Sequence, residues 1–167
     1  MPPDEPARLT VLAGPSGVGK GTIAALIAQR YPQVHLSVSA TTRPPRAGEV
    51  DGANYHFVGS EQFEAMVAAG DMLEWATYAG HQYGTPQPVV RQALSDGRPT
   101  LLEIDLAGAR QVRQVMPEAL QVFLAPPDFD ELARRLSGRA TDSAEVIAKR
   151  LAVARTELAA QGEFDAV

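Results

Sequence analysis

A glycine-rich turn near the N-terminus has the residue types and spacing to bind phosphate. Residues 14–20 read GPSGVGK, which matches the phosphate-loop pattern G-x-x-x-x-G-K. Glycines let backbone N–H groups approach phosphate oxygens closely, and the lysine ammonium can neutralise phosphate charge. The positions expected to contact a nucleotide are Gly14, Pro15, Ser16, Gly17, Val18, Gly19, Lys20, Gly21 and Thr22. A chance glycine-rich turn is the alternative interpretation.

The residues on either side of this turn support the phosphate interpretation. Residues 8–13 predict a short buried strand, and Ile23, Leu26 and Ile27 have helical spacing. The turn therefore joins a strand to a helix, whose N-terminus also favours a bound anion. The chain has only two lysines, Lys20 and Lys149, against thirteen arginines. Because a planar guanidinium cannot replace a compact ammonium, we predict that Lys20 has a specific role.

The residue after this lysine departs from the usual pattern. Many phosphate loops have a serine or threonine there whose hydroxyl binds Mg²⁺, but this chain has Gly21 and then Thr22. Magnesium commonly keeps several waters when it binds to proteins. We therefore expect Mg²⁺ to be held mainly by nucleotide phosphates and water, and we assign no particular residue as its direct ligand.

A second candidate anion site lies in the segment SVSATTRPPRAGE, residues 37–49. Arg43 and Arg46 flank two prolines, which stiffen the backbone, and stiffly held guanidinium groups suit bidentate phosphate binding. Hydroxyl side chains accompany the arginines at Ser37, Ser39, Thr41, Thr42 and Tyr55. A solvated basic turn is the alternative for two arginines alone, and the hydroxyls favour a second phosphate site.

The composition limits the class of protein. Of 167 residues, 45% are hydrophobic and 21% are charged, which is typical of a single globular domain. The net charge of −5 argues against non-specific binding to nucleic acid or to an anionic membrane. No cysteine is present, which excludes disulfides and thiolate metal sites. No apolar run is long enough for a membrane span and the N-terminus is unlike a signal peptide, so we expect a cytoplasmic enzyme or binding module.

The order of predicted elements indicates the fold class. Strand, helix, polar insert, helix, strand, helix, strand and helix follow one another, as in an α/β protein with a parallel sheet flanked by helices. The buried strand PTLLEID has Glu103 and Asp105 on one face at its carboxyl end. Ligand crevices in such sheets lie at the carboxyl ends of the strands. Asp105 can alternatively cap the helix that follows.

At this point the sequence resembles the guanylate kinase family, which transfers the γ-phosphoryl group of ATP to GMP. The resemblance runs through most of the chain, in the motifs GPSGVGKGT, SVSATTRPPRAGE, GANYHFV, MLEWATYAGHQYGT, LLEIDLAG, RRLSGRATDS and AKRL. It implies one domain with a P-loop NTPase-type core at residues 1–35 and 85–136. It further implies a GMP-binding insert at about 36–84, a short lid at about 137–146 and a final helix at 143–161. The family's C-terminal strand and helix are not expected in this chain.

The resemblance also implies which residues hold GMP. Arg43, Arg46, Tyr55 and Tyr83 would bind its phosphate, whereas Ser39, Glu74 and Thr85 would read guanine, with Asp105 a further candidate. The chemistry agrees, since a carboxylate can accept from guanine N1–H and N2–H, while adenine would present a lone pair to it. On spacing alone, Glu74 between Leu73 and Trp75 is a solvent-facing strand residue, and that alternative stays open.

Arginines near the C-terminus match the family's lid. The resemblance implies that Arg139 and Arg150 close over the triphosphate, with Arg135 assisting at the ATP. The expected catalytic residues are Lys20, Arg43, Arg139 and Arg150, because phosphoryl transfer depends mainly on positioning and charge neutralisation. Spacing alone leaves Arg150 as a surface ion pair. Two departures from the family are Ala107, where glutamine is usual, and Ala140, where glycine is usual.

The resulting expectation is a nucleoside monophosphate kinase that uses ATP with Mg²⁺ and phosphorylates GMP and dGMP in purine metabolism. Its partners are these small substrates, with no nucleic acid or membrane, and the sequence favours no particular oligomeric state. One alternative is a kinase for another nucleoside monophosphate. The other is a non-catalytic guanylate-kinase-like interaction domain, although Gly19, Lys20, Arg139 and Arg150 are all present.

Overall fold

The structure is a computed structural model that describes residues 6–137 and 144–167. The strands are β1 (Leu9–Ala13), β2 (His35–Leu36), β3 (Ala40–Thr41), β4 (His56–Phe57), β5 (Met72–Tyr78), β6 (His81–Pro86), β7 (Thr100–Glu103) and β8 (Leu120–Phe123). The helices are α1 (Lys20–Arg30), α2 (Ser60–Ala68), α3 (Gln87–Ser95), α4 (Leu106–Val115), α5 (Phe129–Ser137) and α6 (Ala144–Ala159), followed by a 3-10 helix at Ala160–Glu163. None of the described helices is long and apolar enough to cross a membrane.

Four parallel strands form the core sheet in the order β2-β7-β1-β8. The central strand β1 has Val11 opposite Leu102 of β7, and both side chains are fully buried. Val90 of α3 and Val112 of α4 pack in the same core cluster, so helices cover the sheet. Because both faces of a parallel sheet are covered, its strands are continuous apolar runs, as the sequence has them. The predicted fold class, an α/β parallel sheet flanked by helices, is confirmed.

A second sheet follows β2 in the chain and has the order β4-β3-β6-β5. Its longest ladder is the antiparallel pair β5–β6, joined by a tight turn at Ala79 and Gly80, which both have positive φ. Phe63 of α2 is fully buried against Ala40 and Met72, so this sheet has a small core of its own. Residues in this sheet and at the carboxyl ends of the core strands face one another across the pockets described below.

The last residues return to the core sheet. Phe164 packs on Phe123 of β8 with ring centroids 5.1 Å apart, and the Phe123 N–H donates to the carbonyl of Ala166 at 2.8 Å. A parallel bridge joins Val122 and Ala166. Ala166 therefore pairs with β8 on the side of that strand away from β1. The sequence predicts no strand after the final helix.

Candidate active site

The glycine-rich turn connects β1 to α1 and wraps around the ammonium group of Lys20. Gly19 caps α1 with a φ of 107°, and a Cβ at Gly14 would lie 2.4 Å from the carbonyl oxygen of Leu124. Neither position tolerates a side chain without strain. The Lys20 Nζ donates to the carbonyls of Gly14 at 2.7 Å and Pro15 at 3.2 Å. The Lys20 side chain therefore folds back along its own loop.

Acidic side chains surround this lysine in a cleft of about 550 Å³. Burial lowers the pKa of Lys20, and the carboxylates of Glu103, Glu157 and Asp105 act against that shift. The cleft is also lined by loop residues, including Ser16, Gly17, Gly19, Gly21 and Thr22. Anionic phosphate in this cleft would face both the ammonium and the carboxylates, so the cleft suits a phosphate that carries a metal ion.

Glu157 of α6 is a site residue that the sequence reasoning missed. Its carboxylate accepts a hydrogen bond of 3.3 Å from the backbone N–H of Ser16 in the phosphate loop. Burial raises the pKa of Glu157, and the hydrogen bond from Ser16 and the charge of Lys20 oppose that shift. The two residues are 141 positions apart. At this separation, no local pattern in the sequence connects Glu157 with the loop.

The Glu103 carboxylate lies beside Gly21, the position where many phosphate loops have a serine or threonine. A Cβ at Gly21 would lie 3.5 Å from Oε2 of Glu103, so this carboxylate stands beside the position where many phosphate loops have a hydroxyl. Among residues 6–137 and 144–167, no group of three or more His, Asp or Glu side chains could hold a metal ion. Carboxylate oxygens are nevertheless the ligands that magnesium prefers, directly or through water. Glu103 and Asp105 therefore fit a hydrated magnesium ion on bound phosphates.

A second pocket of about 300 Å³ adjoins the first, since Asp105 lines both. Five residues predicted to hold GMP line this second pocket: Ser39, Tyr55, Glu74, Tyr83 and Asp105. Asp105 also caps α4, because its Oδ1 accepts from the Gly108 N–H at 2.8 Å. The capping interpretation of Asp105 is thus confirmed, and it leaves the side chain at the junction of the pockets.

Glu74 is buried in this pocket, with an exposed fraction of 9%. The β5–β6 ladder has an irregularity between Met72 and Glu74, which sets Glu74 opposite Thr85. The Thr85 hydroxyl donates to Glu74 Oε1 at 2.6 Å. Burial raises the pKa of Glu74, the hydrogen bond from Thr85 opposes this, and the nearby charge of Asp105 adds to it. The alternative interpretation of Glu74 as a solvent-facing residue is wrong, because strict alternation of faces breaks down at this irregularity.

Arg43 is held rigidly by the segment that follows it. Its Nη2 donates to both carboxylate oxygens of Glu49, at 2.8 and 3.0 Å, and its Nη1 donates to the carbonyl of Pro44 at 2.8 Å. The guanidinium lies over the ring of Tyr55, 5.4 Å from its centroid. Its side chain is only 10% exposed, so the solvated-turn interpretation is wrong for Arg43. Glu49 is a second residue to which the sequence reasoning gave no role.

The remaining arginines lie in different surroundings. Arg46 is exposed, and its backbone N–H donates to Glu49 Oε2 at 2.7 Å. Arg135 of α5 donates to the carbonyl of Val18 at 3.1 Å, which brings it to the phosphate loop. Arg150 lies half-exposed on α6, and Arg139 lies outside the described residues. The structure thus brings Arg135 to the loop that holds Lys20, and it places Arg43 over Tyr55, which lines the second pocket.

The fold and the site define a class of protein. A parallel sheet whose first strand leads through a glycine-rich loop into a helix, with a lysine held in the loop, is the P-loop NTPase fold. A second pocket lies beside the cleft at this loop, and Asp105 lines both.

Comparison with known proteins identifies the family. The model of the guanylate kinase family matches residues 6–167. The guanylate kinase of Frankia casuarinae is 62% identical over 162 residues, which cover 97% of this chain and 88% of the relative. That of Streptomyces coelicolor is 59% identical over 165 residues, covering 99% and 84%. A crystal structure of guanylate kinase from Anaplasma phagocytophilum superimposes with a TM-score of 0.69 at 30% identity, covering 96% of this chain and 75% of that one. The chain belongs to the guanylate kinase family, and it is a phosphotransferase of the nucleoside monophosphate kinase class.

Proposed function

We propose that this chain transfers the γ-phosphoryl group of ATP to GMP, which produces ADP and GDP. The observation that carries this proposal is the pair of adjoining pockets that share Asp105. One pocket has the phosphate loop with Lys20, and the other has the buried carboxylate of Glu74. A donor triphosphate in the first and an acceptor monophosphate in the second would meet at the junction. We expect the reaction in the cytoplasm, as a step of purine nucleotide metabolism.

Guanine is the base that the acceptor pocket fits best. The Glu74 carboxylate can accept from both N1–H and N2–H of guanine, whereas adenine presents a lone pair at N1. An adenine there would leave a buried carboxylate facing that lone pair, which discriminates strongly. Thr85 already donates to Oε1 and orients the carboxylate. Ser39 and Asp105, which line the same pocket, supply further polar contacts for the base.

The phosphate of GMP is assigned to a group of cationic and hydroxyl side chains around Arg43. The guanidinium of Arg43 stacks over Tyr55, and the Tyr55 ring lies 6.0 Å from that of Tyr83. Arg46 follows Arg43 after two prolines. Its side chain is exposed and can turn toward the same anion. Positive charge held in place in this way binds phosphate with a small loss of side-chain entropy.

The donor phosphates are assigned to the loop of residues 14–22 and the cations around it. Lys20 and Arg135 neutralise charge that develops on the transferring group, and lid arginines Arg139 and Arg150 are proposed to complete the set. Glu103 and Asp105 would hold Mg²⁺ through water. That ion would supply additional neutralisation of the phosphate charge when bound. The chain's own residues position both substrates and exclude water, and no general base is required.

Acceptor selectivity tests this function directly. ADP formation is measured with GMP, dGMP, AMP and UMP, using the wild-type chain, Glu74→Gln and the exposed matched control Glu64→Gln. We expect GMP and dGMP to be phosphorylated and AMP and UMP to be poor acceptors. Glu74→Gln should raise the KM for GMP about 100-fold, since the amide cannot accept both guanine donors, and Glu64→Gln should behave as wild type. Equal turnover of AMP by the wild-type chain would contradict the proposal.

A further inference from the structure

One face of α4 lies against β5, the strand that carries Glu74. Asp105, Gly108 and Gln111 follow one another at intervals of three residues, so they share one side of the helix start. Asp105 caps the helix through the Gly108 N–H and lines both pockets. The other two residues contact the strand itself.

Gln111 binds the backbone of β5 on both sides of one residue. The Trp75 N–H donates to Oε1 of Gln111, and Nε2 of Gln111 donates to the Trp75 carbonyl, both at 3.1 Å. Strand β5 is at the edge of its sheet, with β6 as its neighbour on one side. The amide of Gln111 therefore supplies the donor and acceptor that a further strand would offer. This reciprocal pair fixes both the distance and the orientation of β5 relative to α4.

Gly108 supplies the space in which the Glu74 carboxylate lies. A Cβ at Gly108 would be 3.0 Å from Oε2 of Glu74 and 3.3 Å from Cδ1 of Ile104. Both distances are shorter than ordinary van der Waals contact. On the opposite side, Thr85 binds Oε1 of the same carboxylate. The Glu74 side chain is therefore bounded by β6 on one side and by the bare backbone of α4 on the other.

We propose that Gln111 is a positioning residue and Gly108 a specificity-determining residue for the acceptor base. Together they set the depth and the plane of the Glu74 carboxylate, and so decide whether it reaches both N1–H and N2–H of guanine. This inference rests on the proposed function, in which Glu74 reads the base. Because a bidentate contact needs both carboxylate oxygens in place, a small displacement of β5 would break the hydrogen bond from guanine N2–H to Glu74 first. The 2-amino group, which distinguishes GMP from inosine monophosphate, is then no longer recognised.

The test compares acceptors in variants of α4. Gln111→Met keeps the length of the side chain and removes its amide, and Gly108→Ala adds the single carbon that meets Oε2. Gln114→Met, on an exposed position of the same helix, is the matched control. We expect Gln111→Met and Gly108→Ala to raise the KM for GMP about tenfold, with a smaller change for inosine monophosphate. The KM for ATP and the kcat at saturating GMP should change by less than about twofold.

Other outcomes separate this inference from the proposed function. Equal increases in KM for GMP, inosine monophosphate and ATP would mean general structural support and would overturn the inference. Should Gln111→Met fail to fold, Gln111→Glu, which keeps an acceptor for the Trp75 N–H, serves in the same comparison. If Glu74→Gln loses GMP binding while both α4 variants behave as wild type, only the inference fails. If Glu74→Gln binds GMP as the wild type does, the assignment of Glu74 in the proposed function fails.

Discussion

Glu74 and Thr85 face each other across the β5–β6 ladder, and the threonine hydroxyl donates a 2.6 Å hydrogen bond to the carboxylate. Burial and the nearby charge of Asp105 raise the pKa of this carboxylate, and hydrogen bonds from the hydroxyl and the backbone of Thr85 oppose the rise. The hydrogen bonds from Thr85 therefore only partly offset the cost of burying the charged form of Glu74. Guanine, which has two donors on one edge, would complete its hydrogen bonding. In the proposed function, this partly compensated carboxylate would therefore favour a base with two adjacent donors.

This relationship predicts how stability depends on pH. Burial raises the pKa of Glu74 above that of the unfolded chain, about 4.3, so the folded state binds more protons. The contribution of Glu74 to stability is fully present below the unfolded pKa of about 4.3 and is lost as the pH rises through the folded pKa. Glu74→Gln cannot ionise, so its free energy of unfolding relative to wild type should increase from pH 4.5 to pH 8, by urea denaturation at about ten pH values. Parallel curves for the two proteins, or the same divergence in Glu64→Gln, would count against this.

Replacing Lys20 should reduce catalysis without reducing stability. Its Nζ donates to two loop carbonyls, and burial lowers its pKa. Lys20→Ala loses these two hydrogen bonds but also removes the cost of burying a charge, so the two effects on stability oppose each other. Lys20→Ala should lower kcat/KM for ATP by about 10²–10³-fold, and Lys20→Arg should not restore it. Lys149→Ala is the control, because Lys149 is exposed and pairs only with Glu145 in the part of α6 that the structure describes. Full activity of Lys20→Ala would refute the phosphate-loop assignment.

Glu49 should contribute to GMP binding through Arg43, although we assign it no contact with the nucleotide. Its two oxygens bind Nη2 of Arg43, and Oε2 also accepts from the Arg46 N–H. Glu49→Gln weakens the hold on Arg43, so the KM for GMP should rise about three- to tenfold while the KM for ATP stays the same. In a double-mutant cycle with Arg43→Ala, the two changes should be strongly non-additive. Simple additivity would show that Glu49 acts independently of Arg43.

Gly21→Ser should lower the magnesium concentration that is needed for nucleotide binding. The added side chain lies beside the Glu103 carboxylate, at a contact distance of 3.5 Å for its Cβ, so it fits without displacing the helix. The new hydroxyl then stands where many phosphate loops offer one to Mg²⁺. We expect the half-saturating Mg²⁺ concentration for binding of a fluorescent ADP analogue to fall at least about twofold. Gly21→Ala is the control, and an equal shift in that variant would exclude the hydroxyl as the cause.

Local sequence determined the parts of the site that depend on neighbouring residues. The glycine spacing of residues 14–20 predicted the phosphate loop, because positive φ and close backbone approach are properties of single positions. Asp105 was predicted at the end of a buried strand with capping as one role, and the structure has both features. The order of apolar runs likewise predicted the parallel sheet, since burial on both faces requires them.

Tertiary structure alone decided which distant side chains meet these local elements. Glu157 reaches Ser16 across 141 positions, and Gln111 reaches Trp75 across 36, and no spacing rule connects such pairs. Glu74 was predicted only through a family resemblance, because its burial depends on a ladder irregularity and on α4 packing over β5. Local conformation is governed by the φ and ψ preferences of a few adjacent residues, whereas burial and pKa depend on what the whole fold packs around a group.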